Sequence, residues 1–263
     1  EAYELMNALP FEVGNHYGPD FGKVIREGYG ALKARAEQGL ADAKAIGDAD
    51  KERYYTAAII VADAAIAFIR RYADFTEAEA GRCEDEARAA QLREAAAIMR
   101  KIATRQADSF KEAMQLLWLS FIMINIPGGN AESLSRFDQY LYPFFKHDID
   151  NGIISREEAK EYISDLWIKV NEPKMRTVIS MTLAGTTPDG KPGENELTSL
   201  CLEVLRDIRT PFPNTGVRVR HDTPEWVYDD IVKTLECGVG QPMIINDDHW
   251  IPAFTGLGYA LED

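Results

Sequence analysis

The sequence predicts a helix-rich α/β protein, with a helical N-terminal layer over residues 1–172 followed by parallel strands alternating with helices over residues 173–263. Two observations carry this. The first part holds long segments with apolar residues at helical spacing, punctuated by Ser/Thr-x-x-Glu sequences that open helices. Beyond it, three short β-branched runs are separated by helical segments of crossover length, which implies parallel pairing. No repeat, low-complexity tract or clear linker interrupts the chain, so one domain, or a piece of one, is expected over residues 1–263.

The bulk chemistry agrees. Hydrophobic residues make up 46% and charged residues 27%, the balance of a globular chain. A formal net charge of −14 opposes nucleic acid or an anionic membrane as main partner, because both select a basic face. The longest near-continuous apolar run, residues 57–69, contains Asp63 and is too short to span a bilayer. Cys83, Cys201 and Cys237 form no CxxC pair or disulfide framework, which points to a reducing, cytoplasmic location. His16, His147, His221 and His249 lack paired metal spacing, and no metal is expected. The chain opens on Glu1 without a signal peptide, so a cut N-terminus is expected.

Residues 1–19, with Pro10, Gly14, Gly18 and Pro19, read as an irregular lead-in. Residues 21–46 are helical on the intermittent stripe Val24, Tyr29, Leu32 and Leu40. Residues 51–72 form a long helix whose middle is apolar on every side, and it is expected inside the fold. Thr76-Glu77-Ala78-Glu79 and Ser109-Phe110-Lys111-Glu112 are capping boxes, the second opening a helix over 110–125. Between them, residues 87–105 are amphipathic and Ala-rich. Pro127-Gly128-Gly129-Asn130 ends the apolar helix. In Ser135-Arg136-Phe137-Asp138-Gln139-Tyr140-Leu141-Tyr142-Pro143-Phe144-Phe145, the polar groups must then find partners among the aromatics or line a cavity. Ser155-Arg156-Glu157-Glu158 caps a helix to about Asn171.

Strands are expected at 177–183, 215–220 and 242–245, with helices over 194–206 and from Thr223-Pro224 to Glu236. Ligands of parallel sheets gather at the carboxyl ends of the strands. Those ends are residues 184–187, His221-Asp222 and Asn246-Asp247-Asp248.

Several of these motifs also carry a resemblance. Ser135-Arg136-Phe137-Asp138-Gln139-Tyr140-Leu141-Tyr142-Pro143 after a Gly-rich loop, Phe68-Ile69-Arg70-Arg71-Tyr72-Ala73, and Ser109-Phe110 with Glu112-Ala113 and Gln115 are three. Asp189-Gly190 with Asn195-Glu196-Leu197-Thr198, Pro211-Phe212-Pro213-Asn214 with Arg218-Val219-Arg220-His221, and Gln241-Pro242 with Asn246-Asp247 follow in order. Together they resemble the pyruvate formate-lyase-type domain of glycyl radical enzymes, in its diol-dehydratase and C–N-lyase branch, over roughly residues 50–263.

The resemblance implies a barrel of two antiparallel half-sheets, each of five parallel strands, wrapped in helices. It implies a lyase or dehydratase in which a cysteine thiyl radical takes hydrogen from a small polar substrate. A neighbouring group then leaves, or a C–C bond breaks. A glycyl radical, installed by a separate radical S-adenosylmethionine activase, oxidises that cysteine, so the activase is an expected partner and no cofactor is bound directly. The family's Gly-Cys-Val-Glu loop would follow Leu261-Glu262-Asp263, so this chain is expected to be an N-terminal portion, inactive alone. A C-terminal remainder and a homodimer are the expected assembly partners. Within the class, a formate C-acetyltransferase-like portion is the alternative. Outside it stands a non-catalytic acidic helical partner module.

None of the residues is assigned as catalytic. Asn130 and Ala131 fall where the diol-dehydratase subgroup has His-Ser, so only Asn130 keeps hydrogen-bonding capacity, and a glycerol or propanediol substrate is disfavoured. Asn130 reads equally as a turn residue. Glu132 is a partner for a substrate cation, a group for acid–base work or a helix N-terminal charge. Arg136 and Asp138 read first as a buried bidentate pair and second as substrate contacts. Thr186, beside Thr187, reaches the pocket or serves a turn, and Asn246 ends the third strand with Asp247 and Asp248. Cys201 and Cys237 read as small buried residues, Cys83 as surface, and His16 and His221 as structural.

Overall fold

The computed structural model describes residues 16–125, 131–172 and 178–260. The chain divides into two compact units, one of residues 21–123 and one of residues up to 20 together with 124 onward.

The first unit is helical. It holds α1 (Phe21–Ile46), α2 (Ala49–Ala80), α3 (Glu86–Ile102) and most of α4 (Phe110–Asn125), with α2 packed against both α1 and α3. Side chains cap three of the starts. Asp48 accepts from the Lys51 amide at 3.1 Å, Asp85 from the Ala87 amide at 2.9 Å and Ser109 from the Glu112 amide at 3.2 Å. Helix α1 occupies the expected span but breaks at Gly28 (φ 75°, ψ 155°). A Cβ there would stand 2.4 Å from the Arg105 carbonyl carbon, so glycine is what lets α1 meet the turn after α3. The Gly30 amide donates to Thr104 O at 2.9 Å and the Ala107 amide to Ile25 O at 3.0 Å across that contact.

Helix α2 corrects two expectations. It is not enclosed: Ala62, Ala65, Ile66, Ile69 and Ala73 are buried, whereas Ile60, Val61 and Phe75 are 63%, 65% and 63% exposed. An Ala-rich stretch looks apolar on every side, yet only the Ala/Ile stripe at helical spacing is packed. Thr76-Glu77-Ala78-Glu79 opens no helix either. It lies in the last turns of α2, because no Gly or Pro stops the chain before Gly81.

In the second unit, β1 (His16–Tyr17), β2 (Ala131–Ser133), β3 (Val178–Ala184), β4 (Asn214–Val219) and β5 (Met243–Asn246) make one sheet in that order, and every pairing is parallel. The three expected strands are therefore joined by two short ones, one inside the supposed lead-in. Helices α5 (Phe137–Asp150) and α6 (Arg156–Val170) link β2 to β3, α7 (Glu196–Ile208) links β3 to β4, and α8 (Glu225–Glu236) links β4 to β5. Each crossover is helical, as parallel pairing requires. Helix α9 (Asp247–Gly256) follows β5 and was not foreseen, since Pro252 and Gly256 argue against a helix there.

Two caps in this unit are reciprocal. Ser155 and Glu158 satisfy each other's backbone amides at the start of α6, and Asn195 and Thr198 do the same at α7. Helix α7 packs against α6 and α8, and α5 against β3 and α7. In the core of this unit, Ile179, Met181 and Leu183 of β3 and Leu197, Leu200, Leu202 and Leu205 of α7 are buried. The register sets Ala184 beside Arg218, and Arg218 beside Ile245, at the carboxyl ends of three adjacent strands.

Candidate functional site

The site is built on the three residues at the end of β3. Ala184 (φ 57°) and Gly185 (φ 80°) turn the backbone left-handed, so the chain leaves the sheet abruptly before Thr186. A Cβ on Gly185 would lie 2.4 Å from the Arg218 Cβ, which reserves the position for glycine. Ala184 adopts a conformation that costs an L-residue free energy, and it is held there by hydrogen bonds on every side.

Arginines satisfy the carbonyls of this turn. Arg136 Nη1 donates to Thr186 O at 2.9 Å and Nη2 to Ala184 O at 2.5 Å, while Arg220 Nη1 donates to Gly185 O at 2.9 Å. Aspartates satisfy its amides. Ala184 N donates to Asp138 Oδ2 at 2.8 Å and Thr186 N to Asp247 Oδ2 at 2.7 Å. The turn is thus clamped by charge-assisted bonds, the stronger kind, and its geometry is pre-set before any ligand arrives.

Asp138 is fully buried. Thr198 Oγ1 donates to its Oδ2 at 2.5 Å and Gln139 Nε2 to its Oδ1 at 2.9 Å. Burial raises its carboxyl pKa, and the Thr198 and Ala184 hydrogen bonds pull it back down. Asp247, 2% exposed, accepts Arg218 Nε at 2.6 Å on the oxygen that Thr186 leaves free. Burial lowers the pKa of Arg136, with the neighbouring Arg218 charge acting in the same direction, and its buried Nε has no partner among the described residues.

Above this clamp opens a cavity of about 590 Å³. Arg136, Thr186, Arg218 and Asp247 line its polar side, and Ile245, Trp250, Ile251, Phe254 and Tyr259 its apolar side. Polar groups converging on one wall of a mostly apolar pocket fit a small ligand that must be held in one orientation. It lies where the parallel strands end, as expected of such a sheet.

Of the residues singled out from the sequence, Arg136 and Thr186 line this cavity and Asp138 lies directly beneath them. Arg136 and Asp138 do not make the expected bidentate pair. Each instead grips the β3 turn, Arg136 through carbonyls and Asp138 through an amide, so the backbone stands between them. Asn246 caps α9, accepting from the Asp248 amide at 3.0 Å. Glu132 sits on β2 outside the cavity lining, 2% exposed, with Asn125 Nδ2 donating to Oε2 and Oε1 unpartnered among the described residues. Asn130 lies outside the described residues.

Cys201 is buried, with its thiol pushed well up by burial, while Cys83 and Cys237 are half-buried, and none lines the cavity. His221 is exposed at the surface, its amide donating to Asp248 Oδ2 at 2.6 Å. No group of three or more metal-ligating side chains occurs among the described residues, and no described helix is long and apolar enough to cross a membrane.

Arg218 and the aromatics of α9 are what sequence reasoning missed. The signal for Arg218 was the alternation Val217-Arg218-Val219-Arg220, which sets two cations between valines in the expected strand 215–220. Asp247 was placed at the end of the third expected strand, but not as the anchor of a guanidinium and an amide that it is.

Comparison with known proteins is consistent with this geometry. Residues 4–263 match the pyruvate formate lyase-like family. The chain is 30% identical to an isethionate sulfite-lyase from Bilophila wadsworthia over 93% of its length, which is 32% of that protein. It is 32% identical to a (2S)-3-sulfopropanediol dehydratase from Klebsiella oxytoca over 98% of its length and 33% of that protein. Its structure superposes on the glycerol-bound B12-independent glycerol dehydratase from Clostridium butyricum with a TM-score of 0.88 at 32% identity, covering 96% of this chain and 34% of that one. The chain spans about a third of the length of the relatives it matches. A family match over nearly every residue, and a shared fold at this identity, leave one conclusion: the chain belongs to the pyruvate formate lyase-like family of glycyl radical enzymes.

Proposed function

We propose that this chain forms part of the substrate pocket of a glycyl radical lyase or dehydratase acting on a small polar molecule. The observation that carries the reading is the cavity at the ends of β3, β4 and β5, where a pre-set polar wall faces an apolar one. The relatives' names supply the reaction class: a sulfite-lyase and dehydratases, each removing a small group from a small substrate.

In this reading the radical chemistry belongs to a protein of the relatives' full length. A cysteine thiyl takes a hydrogen atom from the substrate, and a glycyl radical installed by a separate activase regenerates the thiyl. Arg136, Thr186, Arg218 and Asp247 bind and orient the polar end of the substrate, with Asp138 holding the turn that carries Thr186. Trp250, Ile251 and Phe254 pack against its carbon skeleton and keep water away from a reactive intermediate. The reading carries with it an anaerobic, cytoplasmic homodimer with the activase as transient partner. Glu132 and Asn246 keep supporting roles, Glu132 as a buried acid and Asn246 as the cap that aims Asp247. Asn130 stays a substrate-contact candidate.

The test is turnover by the activated full-length protein under strict anaerobiosis, with the glycyl radical followed by electron paramagnetic resonance. Asp247→Asn is expected to lower kcat/KM by about tenfold or more, since a lost charge-assisted contact is worth roughly 1.5–3 kcal/mol, while leaving the radical signal intact. Unchanged kcat/KM in that variant contradicts the assignment.

A further inference from the structure

We infer that the buried ion pair of Arg220 and Glu194 is a positioning pair for the cavity. It fixes the pose of the loop between β3 and α7, and through Thr186, Thr187 and Pro188 it governs how tightly a ligand is held. This rests on the pocket reading above and adds how that pocket is kept in shape.

The loop has its own internal order. Thr186 bridges Pro192, the Thr187 amide donates to Lys191 O at 2.9 Å and the Gly193 amide to Gly185 O at 2.7 Å, which makes residues 185–194 a small hairpin. Thr186, Thr187 and Pro188, on its first arm, line the cavity. Those bonds define the shape of the hairpin but not its angle to the sheet. A loop that lines a site takes its position from the scaffold beneath it.

Arg220, one residue past β4, supplies that anchor. Its Nη2 donates to Glu194 Oε1 at 2.7 Å, and its Nη1 donates to Glu194 Oε2 at 3.1 Å and to Gly185 O at 2.9 Å. One guanidinium therefore holds both ends of the hairpin stem. Its Nε lies 2.5 Å from Asp222 Oδ1, which steadies the fork from the third side. The side chains of Arg220 and Glu194 are 7% and 4% exposed, and neither residue lines the cavity.

The energetics separate location from stability. Gly185 O already accepts from the Gly193 amide, so Arg220 rescues no orphaned group there. Replacing a buried ion pair by apolar residues of similar volume is often neutral for stability, because drying two charges offsets most of their attraction. What a bidentate pair adds is geometry. Arg136 and Asp247 grip the backbone at Ala184 and Thr186, where the hairpin begins, whereas Arg220 ties its two ends to each other and to the end of β4.

The experiment compares Arg220→Gln, Arg220→Lys and Glu194→Gln in the full-length protein, with Gly152→Ala as control. Gly152, at φ 64° with no atom within 4 Å of an added Cβ, strains the backbone without meeting the hairpin. Hydrogen exchange read by peptide mass needs no ligand. Arg220→Gln is expected to speed exchange over residues 185–195 by about tenfold or more and Arg220→Lys by less, while α6 peptides and the control keep wild-type hairpin rates. The second readout is turnover by activated protein offered glycerol, 1,2-propanediol and 2-hydroxyethanesulfonate, normalised to the glycyl radical signal. For the compound processed fastest, KM is expected to rise about fivefold or more in Arg220→Gln, with kcat within about twofold and Arg220→Lys in between. Should Arg220→Gln not fold, Glu194→Gln carries the same two readouts with the guanidinium intact.

Wild-type exchange in the hairpin, or a lowered Tm with KM unchanged, assigns the pair to stability alone and overturns the inference. The two readings fail separately. No turnover of any of the three compounds by the radical-bearing wild type counts against the lyase or dehydratase reading, and hairpin exchange then still decides the role of the pair.

Discussion

Glu132 sets the terms at the scale of one residue. Its carboxyl is 2% exposed, accepts from Asn125 on one oxygen and has no described partner on the other. Burial raises its pKa, and the Asn125 hydrogen bond opposes this. The folded protein therefore holds this proton at pH values where the unfolded chain has released it. Stability from this group is present at low pH and declines as pH rises from the ordinary carboxyl value through the raised one. Glu132→Gln is expected to flatten that decline and to raise the Tm at neutral pH by a few degrees, from on the order of 1 kcal/mol. Thermal melts between pH 4 and 8 check it, and a variant with the wild-type slope contradicts it. The sequence pointed to Glu132 because a lone acid in an apolar stretch is conspicuous. It read the acid as a substrate contact or a helix N-terminal charge, whereas Glu132 lies on β2 and accepts from Asn125 at the end of α4. Arg136 and Asp138 were legible as polar residues needing partners. Their partners were not, because those are backbone atoms of a turn some 50 residues away in sequence.

At the scale of elements, Gly28 and α9 mark what local pattern can and cannot tell. The α1 span was readable from its apolar stripe, yet the break inside it was not, since one glycine in a helical pattern is usually tolerated. It is the approach of the Arg105 carbonyl that forces φ 75° and ψ 155° there. Gly28→Ala is expected to cost roughly 1–3 kcal/mol from the backbone alone, with the displaced turn added to it. Gly152→Ala, at φ 64° with no atom within 4 Å of the added Cβ, is expected to cost about 1 kcal/mol. Chemical denaturation of both variants checks the difference, and equal costs contradict the account of the kink. Capping boxes were reliable where a loop precedes them, as at Ser109 and Ser155, and misleading at Thr76, where nothing upstream ends the helix. Helix α9 was hidden by Pro252, which sits inside it, although Asn246 supplies an ordinary cap.

For the whole molecule, the parallel sheet was legible because three β-branched runs alternate with helices, and that pattern leaves few other topologies. Strands β1 and β2 were not, because two or three residues without β-branching carry no period. They are strands only by virtue of their place beside β3. The cavity followed the same logic. Its location at the carboxyl ends of the strands was predictable from topology, while its lining depends on Ala184, Arg218 and Ile245 falling in register, which only the fold supplies. The most direct test is a crystal structure of the unactivated full-length protein, grown anaerobically with the substrate it turns over. The expected result is ligand density against Arg136, Thr186 and Arg218, with its carbon skeleton on Trp250. Density for the substrate elsewhere, with this cavity filled by protein side chains, would contradict it.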